Sequence, residues 1–379
     1  MNFGDFMNDL LDKLKKYRER DWSYDSGRIF SSMCTNPLDE ALEAHQMYTD
    51  VNALDSKIFP SAKRLESEVI RKISALYSST HAGGYITSGG TEGNIYALWL
   101  ARKLRDKGEK VIAPISAHYS MQKACDLQQL KLIQTTLNDQ YKAEVEDINE
   151  QTDKETIAIV ATVGTTALGK IDPIREIAEI AEDAGCFLHV DASFGGFVLP
   201  FIKNAPPWDF EIESVSSITS DPHKMGLTPI PSGVLLVRNH SWIDELRMDI
   251  PYLDQTSATL LGTRPGASIA STWMALNLLD SNNYGRIVRR CMKLTRQLAE
   301  GIRGISDLRL VTEPELNLVS FTSNTSDVSQ LRVALERRRW LVSLNSQPES
   351  VRLVVMPHHR EEHIRSFLND LRECVRELS

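Results

Sequence analysis

The chain has 379 residues, with 43 Lys and Arg against 51 Asp and Glu, 42% hydrophobic and 25% charged residues, for a formal net charge of −8. That is room for two domains around sizeable cores, or for one large domain with an appendage. The acidic balance, with no basic block beyond short runs such as Arg337-Arg338-Arg339, argues against nucleic acid or an anionic membrane as the main partner.

No window approaches the roughly 18 uninterrupted apolar residues of a spanning helix, so no membrane-crossing segment is expected. At the start of the chain Phe3, Phe6, Met7, Leu10, Leu11 and Leu14 fall on one helical stripe. Acids lie among them and bases after them, the reverse of a signal peptide, and the stretch reads as a docking helix kept on the mature protein. From about residue 85 to 240, β-branched runs alternate with amphipathic stretches, which predicts a mostly parallel sheet flanked by helices. Strands are expected at 111–114, 130–135, 156–163, 186–190, 214–219 and 233–237. Between the third and fourth, Asp172 and Pro173 read as N-cap and first helical residue, Ile174, Ile177, Ala178 and Ala181 as the buried stripe, and Gly185 as the stop. A long helix at 283–301 then leads into alternating strands (308–311, 316–321, 341–344, 351–355) and helices (328–338, 362–375). The expected organisation is an N-terminal arm (1–50), a large domain (51–282) and a small C-terminal α+β domain (283–379). The five cysteines are odd in number and lack a CxxC pair, which reads as reduced thiols in a cytoplasmic protein rather than a disulfide frame or a zinc site.

Two readings compete for the chemistry. Gly164-Thr165-Thr166-Ala167-Leu168-Gly169-Lys170 matches a phosphate-cradling GxxxxGK loop after a buried strand, and Phe187 to Asp191 resembles the apolar strand whose Asp holds magnesium. Against this, Ile171 stands where a metal-binding Ser or Thr is required, and Pro173 removes an amide that the helix start should offer. The second reading begins at Thr87-Ser88-Gly89-Gly90-Thr91-Glu92-Gly93-Asn94, where small and hydroxyl residues open a helix and suit a phosphate. Asp191 closes a buried strand, where a carboxylate can keep a pyridine nitrogen protonated. Asp221-Pro222-His223-Lys224 follows a core strand, an unusual place for a solvated amine and a suitable one for a lysine that binds an aldehyde. A phosphate cradle, a ring-facing Asp and a Lys, in this order, are the requirements of a pyridoxal-phosphate enzyme.

On these residues the sequence resembles the group II pyridoxal-phosphate decarboxylases, and within them the archaeal L-tyrosine/L-aspartate decarboxylases; sphingosine-phosphate lyases are more distant relatives. The resemblance extends through Gly27-Arg28, Ser32 to Thr35, Phe59-Pro60, His118, Ala161 to Thr166, His189 to Ala192, Pro231 to Gly233, Leu261 to Arg264 and Arg352 to His358. It implies a fold type I (aspartate-aminotransferase-like) α/β enzyme with pyridoxal 5'-phosphate as cofactor, a large mostly parallel sheet domain and a small C-terminal domain, working as a homodimer.

By the same resemblance Lys224 carries the cofactor, His223 lies near the reacting carbons, Gly90 and Thr91 hold the phosphate with Ser220 as a further donor, Asp191 pairs with the ring nitrogen and His118 stacks on the ring. Thr165 is expected at the ring edge. Ser193 stands where the family has an Ala against the other cofactor face, a polar group on an apolar surface. Arg352 matches the position where fold relatives bind a substrate carboxylate, and Tyr252 lies in a region that reaches the partner subunit's site. His358, His359 and His363 have metal-like spacing, but related enzymes share this Met-Pro-His helix start without a metal, so no metal is expected. The implied activity is decarboxylation of an L-amino acid: L-tyrosine to tyramine, in methanofuran biosynthesis, or L-aspartate to β-alanine, in coenzyme A biosynthesis. A carbon–carbon lyase of the sphingosine-phosphate type is the alternative, and a P-loop nucleotide hydrolase the outsider.

Overall fold

A computed structural model describes residues 3–105 and 108–378. The helices are α1 (Phe3–Arg18), α2 (Asp39–Met47), α3 (Pro60–Leu76), α4 (Gly90–Leu104), α5 (Ser120–Gln128), α6 (Val145–Gln151), α7 (Ile174–Asp183), α8 (Gly266–Leu278), α9 (Ser281–Arg303), α10 (Val328–Arg337) and α11 (Glu361–Leu378). The strands are β1 (Gly83–Thr87), β2 (Lys110–Pro114), β3 (Lys131–Thr135), β4 (Thr156–Thr162), β5 (Phe187–Asp191), β6 (Val215–Ser220), β7 (Gly233–Val237), β8 (Met248–Ile250), β9 (Gln255–Ser257), β10 (Leu308–Leu310), β11 (Leu318–Ser323), β12 (Ser343–Ser346) and β13 (Glu349–Val354).

Seven strands form one sheet in the order β1-β7-β6-β5-β4-β2-β3. All neighbours run parallel except β7, which is antiparallel to both β6 and β1. The six expected strands are present within two residues, and β1 is an addition: its Gly-Gly-Tyr-Ile-Thr sequence has the glycines of a turn, but Gly84 packs so closely on β7 that a Cβ there would lie 2.0 Å from the Leu235 carbonyl oxygen. Because β1 and the four strands β2, β4, β5 and β6 all point the same way, their carboxyl ends meet along one edge. In open α/β sheets that edge is where ligands bind.

The interior strand β4 is buried at every position, as a strand covered on both faces must be. Its cover on one side includes α7, where Ile174, Ile177, Ala178 and Ala181 are buried as the periodicity predicts. Fully burying each isoleucine contributes about 1.5–3 kcal/mol. Gly185, at φ +60°, ends α7: its amide donates to the Glu182 carbonyl and that of Cys186 to the Ala181 carbonyl. The start of α7 differs from expectation. Asp172 does not cap the helix; its carboxylate accepts from the amides of Ala143 and Thr162 and so ties its loop to the end of β4 and to the segment before α6, and Pro173 takes the cap position.

A second sheet, β10-β11-β13-β12, carries α9, α10 and α11 around a core that includes Trp340, Phe321 and Phe367. Part of the expected arm belongs to this layer: Phe30 donates to the Leu341 carbonyl and accepts from the Val354 amide, and its ring stacks on His359 at 4.1 Å. His359 also accepts from the Met356 amide, and His358 shares a hydrogen bond with Thr35, so these histidines serve packing and loop attachment. Helix α1, by contrast, has no buried residue.

Candidate active site

The carboxyl edge of the large sheet opens into a cavity of about 320 Å³ whose lining includes Gly90, Thr91, His118, Asp191, Ser193 and Lys224. Gly89 and Gly90 turn the chain from β1 into α4, and no side chain caps this helix. Its first amides and the positive end of its dipole therefore face the cavity. The cradle is tight: a Cβ on Gly90 would lie 2.3 Å from Ser193 Oγ.

Asp191 ends β5 and is buried, with each oxygen engaged. Oδ1 accepts from the Ser193 hydroxyl at 2.6 Å and the Ser193 amide at 3.0 Å; Oδ2 accepts from Asn94 Nδ2 at 2.8 Å. Burial alone would push its carboxyl up, but the Ser193 hydroxyl and amide, with Lys224 further off, outweigh it and hold the group below the usual carboxylate range. His189, two residues earlier on the same face of β5, is pushed down to about 4 by burial and is neutral.

Lys224 Nζ lies 2.9 Å from Asp221 Oδ2. Burial disfavours its charge, yet Asp221 and, more distantly, Asp191 raise it overall. Asp221 Oδ1 is buried without a hydrogen-bond partner, as is Thr219 Oγ1 close by. His223 donates from Nδ1 to the Ser232 carbonyl and keeps its Nε2 3.7 Å from Asp221. His118, beyond β2, shares a 2.9 Å hydrogen bond with Ser120 through Nδ1.

Four expected site residues are not among those lining this cavity. Thr165 is buried with its hydroxyl accepting from the Lys170 amide, and Thr166 and Thr162 line the cavity in its place. Ser220 is fully buried and its hydroxyl accepts from Tyr77, so it faces away from the cavity. Tyr252 is 80% exposed on the β8–β9 hairpin. Arg352, on β13, donates to the carbonyls of Thr166 and Ser31, both at 2.7 Å, which fastens two loops beside the cavity. Asn94 and Ser120, which the sequence reading did not single out, join Asp191 to His118. The signal for Asn94 was its spacing: three residues after Thr91, it repeats on the face of α4 that begins at the phosphate-suited turn.

The GxxxxGK resemblance has a different explanation. Lys170 is buried and pairs with Glu315 at 2.6 Å, and the amides of Gly164 and Thr165 are spent on the Lys170 carbonyl. Neither the lysine nor those amides is available to a nucleotide.

The lining suits pyridoxal 5'-phosphate in each of its parts. Free amides at the start of α4 fit a phosphate, Asp191 fits a protonated ring nitrogen, and the orphaned Asp221 oxygen marks a polar site built for more than its own protein partners. The fold and this set of groups define a fold type I pyridoxal-phosphate enzyme. More narrowly, the chain belongs to the pyridoxal-dependent decarboxylase family, whose conserved domain matches residues 28–324. It is 40% identical over 370 residues to a probable L-aspartate decarboxylase of Archaeoglobus fulgidus, covering 97% of this chain and all of that one. Identity to a probable L-tyrosine/L-aspartate decarboxylase of Methanothermobacter thermautotrophicus is 41% over 355 residues, 92% of this chain and 98% of the relative. Among solved structures, a sphingosine-1-phosphate lyase of Burkholderia pseudomallei superposes with a TM-score of 0.91 at 26% identity, covering 100% of this chain and 91% of that one.

Proposed function

We propose that the protein releases carbon dioxide from an L-amino acid, with L-aspartate giving β-alanine or L-tyrosine giving tyramine, so that a proton replaces the carboxylate on Cα. The observation that carries this reading is one cavity bringing together Lys224, Asp191 and His118 in a chain about 40% identical, over nearly its whole length, to proteins named as aspartate and tyrosine/aspartate decarboxylases. The cofactor supplies the electron sink that accepts the bonding pair when carbon dioxide leaves. The chain does the rest: Gly90 and Thr91 bind the phosphate, Lys224 anchors the aldehyde carbon, Asp191 keeps a negative charge at the ring nitrogen, and His118 covers one face of the ring. The lyase reading ranks second, since its likeness is 26% against 40–41% for the decarboxylases.

The reading extends to a cytoplasmic homodimer that takes an amino-acid substrate and no nucleic acid. Among the described residues no helix is long and apolar enough to cross a membrane. Supporting a second subunit are the apolar stripe of α1, with Phe3 83% exposed, and Ile230 at the cavity rim, 64% exposed. In this assembly Tyr252 would be presented to the partner's site, and Arg352, if its guanidinium exchanges a loop carbonyl for substrate, would meet a carboxylate. The deciding experiment incubates the purified, cofactor-loaded protein with a panel of L-amino acids and reads amines by mass spectrometry. Formation of β-alanine or tyramine is expected, and no amine from any member of the panel would refute the assignment.

A further inference from the structure

A chain of buried hydrogen bonds links Asp191 to His118, and the chemistry of its members fixes the direction of every bond. A carboxylate only accepts, so the Asn94 side-chain nitrogen is the atom facing Asp191 Oδ2 at 2.8 Å. Asn94 Oδ1 then faces His189 Nε2 at 2.9 Å and accepts, which puts the His189 hydrogen on Nε2 and leaves its Nδ1 to accept from the Ser217 hydroxyl at 2.7 Å. The second hydrogen on Asn94 Nδ2 goes to Ser120 Oγ at 2.9 Å. The Ser120 amide, which can only donate, points at His118 Nδ1 from 3.4 Å, so that nitrogen accepts, and the Ser120 hydroxyl 2.9 Å away gives it its hydrogen.

A ring nitrogen that receives two donors carries a lone pair. Burial lowers the His118 pKa and outweighs the opposing pull of Asp191, so the ring is neutral and has one hydrogen to place.

We propose that Asn94 and Ser120 are positioning residues that lock His118 as its Nε2–H tautomer, so that His118 presents a hydrogen-bond donor to the site. The inference rests on the pyridoxal-phosphate site described above but not on which amino acid is decarboxylated.

The test is nitrogen-15 NMR of the cofactor-loaded, histidine-labelled protein without substrate, with the His118 ring signals identified by their loss in His118→Gln. Long-range proton–nitrogen couplings distinguish the tautomers directly. The expected wild-type pattern is a single Nε2–H form; an Nδ1–H form, or a rapid average of both, overturns the proposal before any other variant is made. Ser120→Ala should shift the signals toward a tautomer average, and Ser120→Thr, which keeps the hydroxyl, should restore the wild-type pattern. An unchanged pattern in Ser120→Ala would equally overturn the role given to Ser120. Because the readout is the ring itself, a failed amine assay would leave this result standing, and the two failures are distinguishable.

Discussion

Ser193 Oγ donates a 2.6 Å hydrogen bond to Asp191 Oδ1. The residue that departs from the family pattern, expected as a polar intrusion beside the ring, is a direct partner of the carboxylate meant for the ring nitrogen. It also fills the space into which a Cβ on Gly90 would point. Ser193 therefore couples the phosphate cradle to the carboxylate.

Ser193→Ala removes one of two donors to Oδ1 and should cost about 1.5–3 kcal/mol of stability at neutral pH. The sign follows from linkage. Burial pushes the Asp191 carboxyl up, but the Ser193 hydroxyl and amide bring it below its ordinary value, so its contribution is present above the unfolded pKa of 3.8 and is lost as pH falls through the folded value. In urea unfolding of the apoprotein, the gap between wild type and variant should narrow in acid. Turnover should persist, because Asp191 remains ionised and keeps the Ser193 amide.

Asp191→Asn should reduce turnover by about a hundredfold or more while the cofactor still binds, since Gly90, Thr91 and Lys224 are untouched. The new amide also meets donors on both sides, from Ser193 and Asn94. Absorbance of the bound cofactor and steady-state rates, measured together, check this; near-normal turnover would reduce Asp191 to a structural residue.

Arg352→Lys keeps the charge but loses the planar fork that spans Thr166 and Ser31. We expect a stability loss of about 1–3 kcal/mol from the released carbonyls. If the side chain also meets the α-carboxylate, kcat/KM should fall by one common factor for aspartate and tyrosine. A loss confined to aspartate would assign Arg352 to the side-chain carboxylate, and unchanged values for both would remove it from substrate binding.

Glu315→Ala should cost about 3 kcal/mol, because it strands the buried Lys170, whereas Lys142→Met should cost under about 1 kcal/mol. Burial raises the Glu315 carboxyl, but Lys170 and Lys142 together hold it below 4.5, so the penalty should fade as pH drops through the folded value. Denaturant titrations at neutral and acidic pH measure both effects.

The sequence by itself determined the elements and the chemistry carried by short motifs. Strand and helix periodicity located six strands of the large sheet and the αβ alternation of the tail, and Asp191, His223, Lys224 and the Gly90–Thr91 turn lie in the cavity because each follows a strand whose carboxyl end opens there. These signals are local, so a single stretch of chain contains them. Tertiary structure decided what depends on partners far along the chain. Asn94 meets Asp191 across 97 positions, and Arg352 meets Ser31 across 321. The GxxxxGK lysine was claimed by Glu315, 145 positions away, and the Thr165 and Ser220 hydroxyls by Lys170 and Tyr77. A hydroxyl, amide or guanidinium bonds whatever donor or acceptor the fold brings within about 3 Å, and buried polar groups must be satisfied. Residue type sets what these groups can do, and packing sets which partner each one serves.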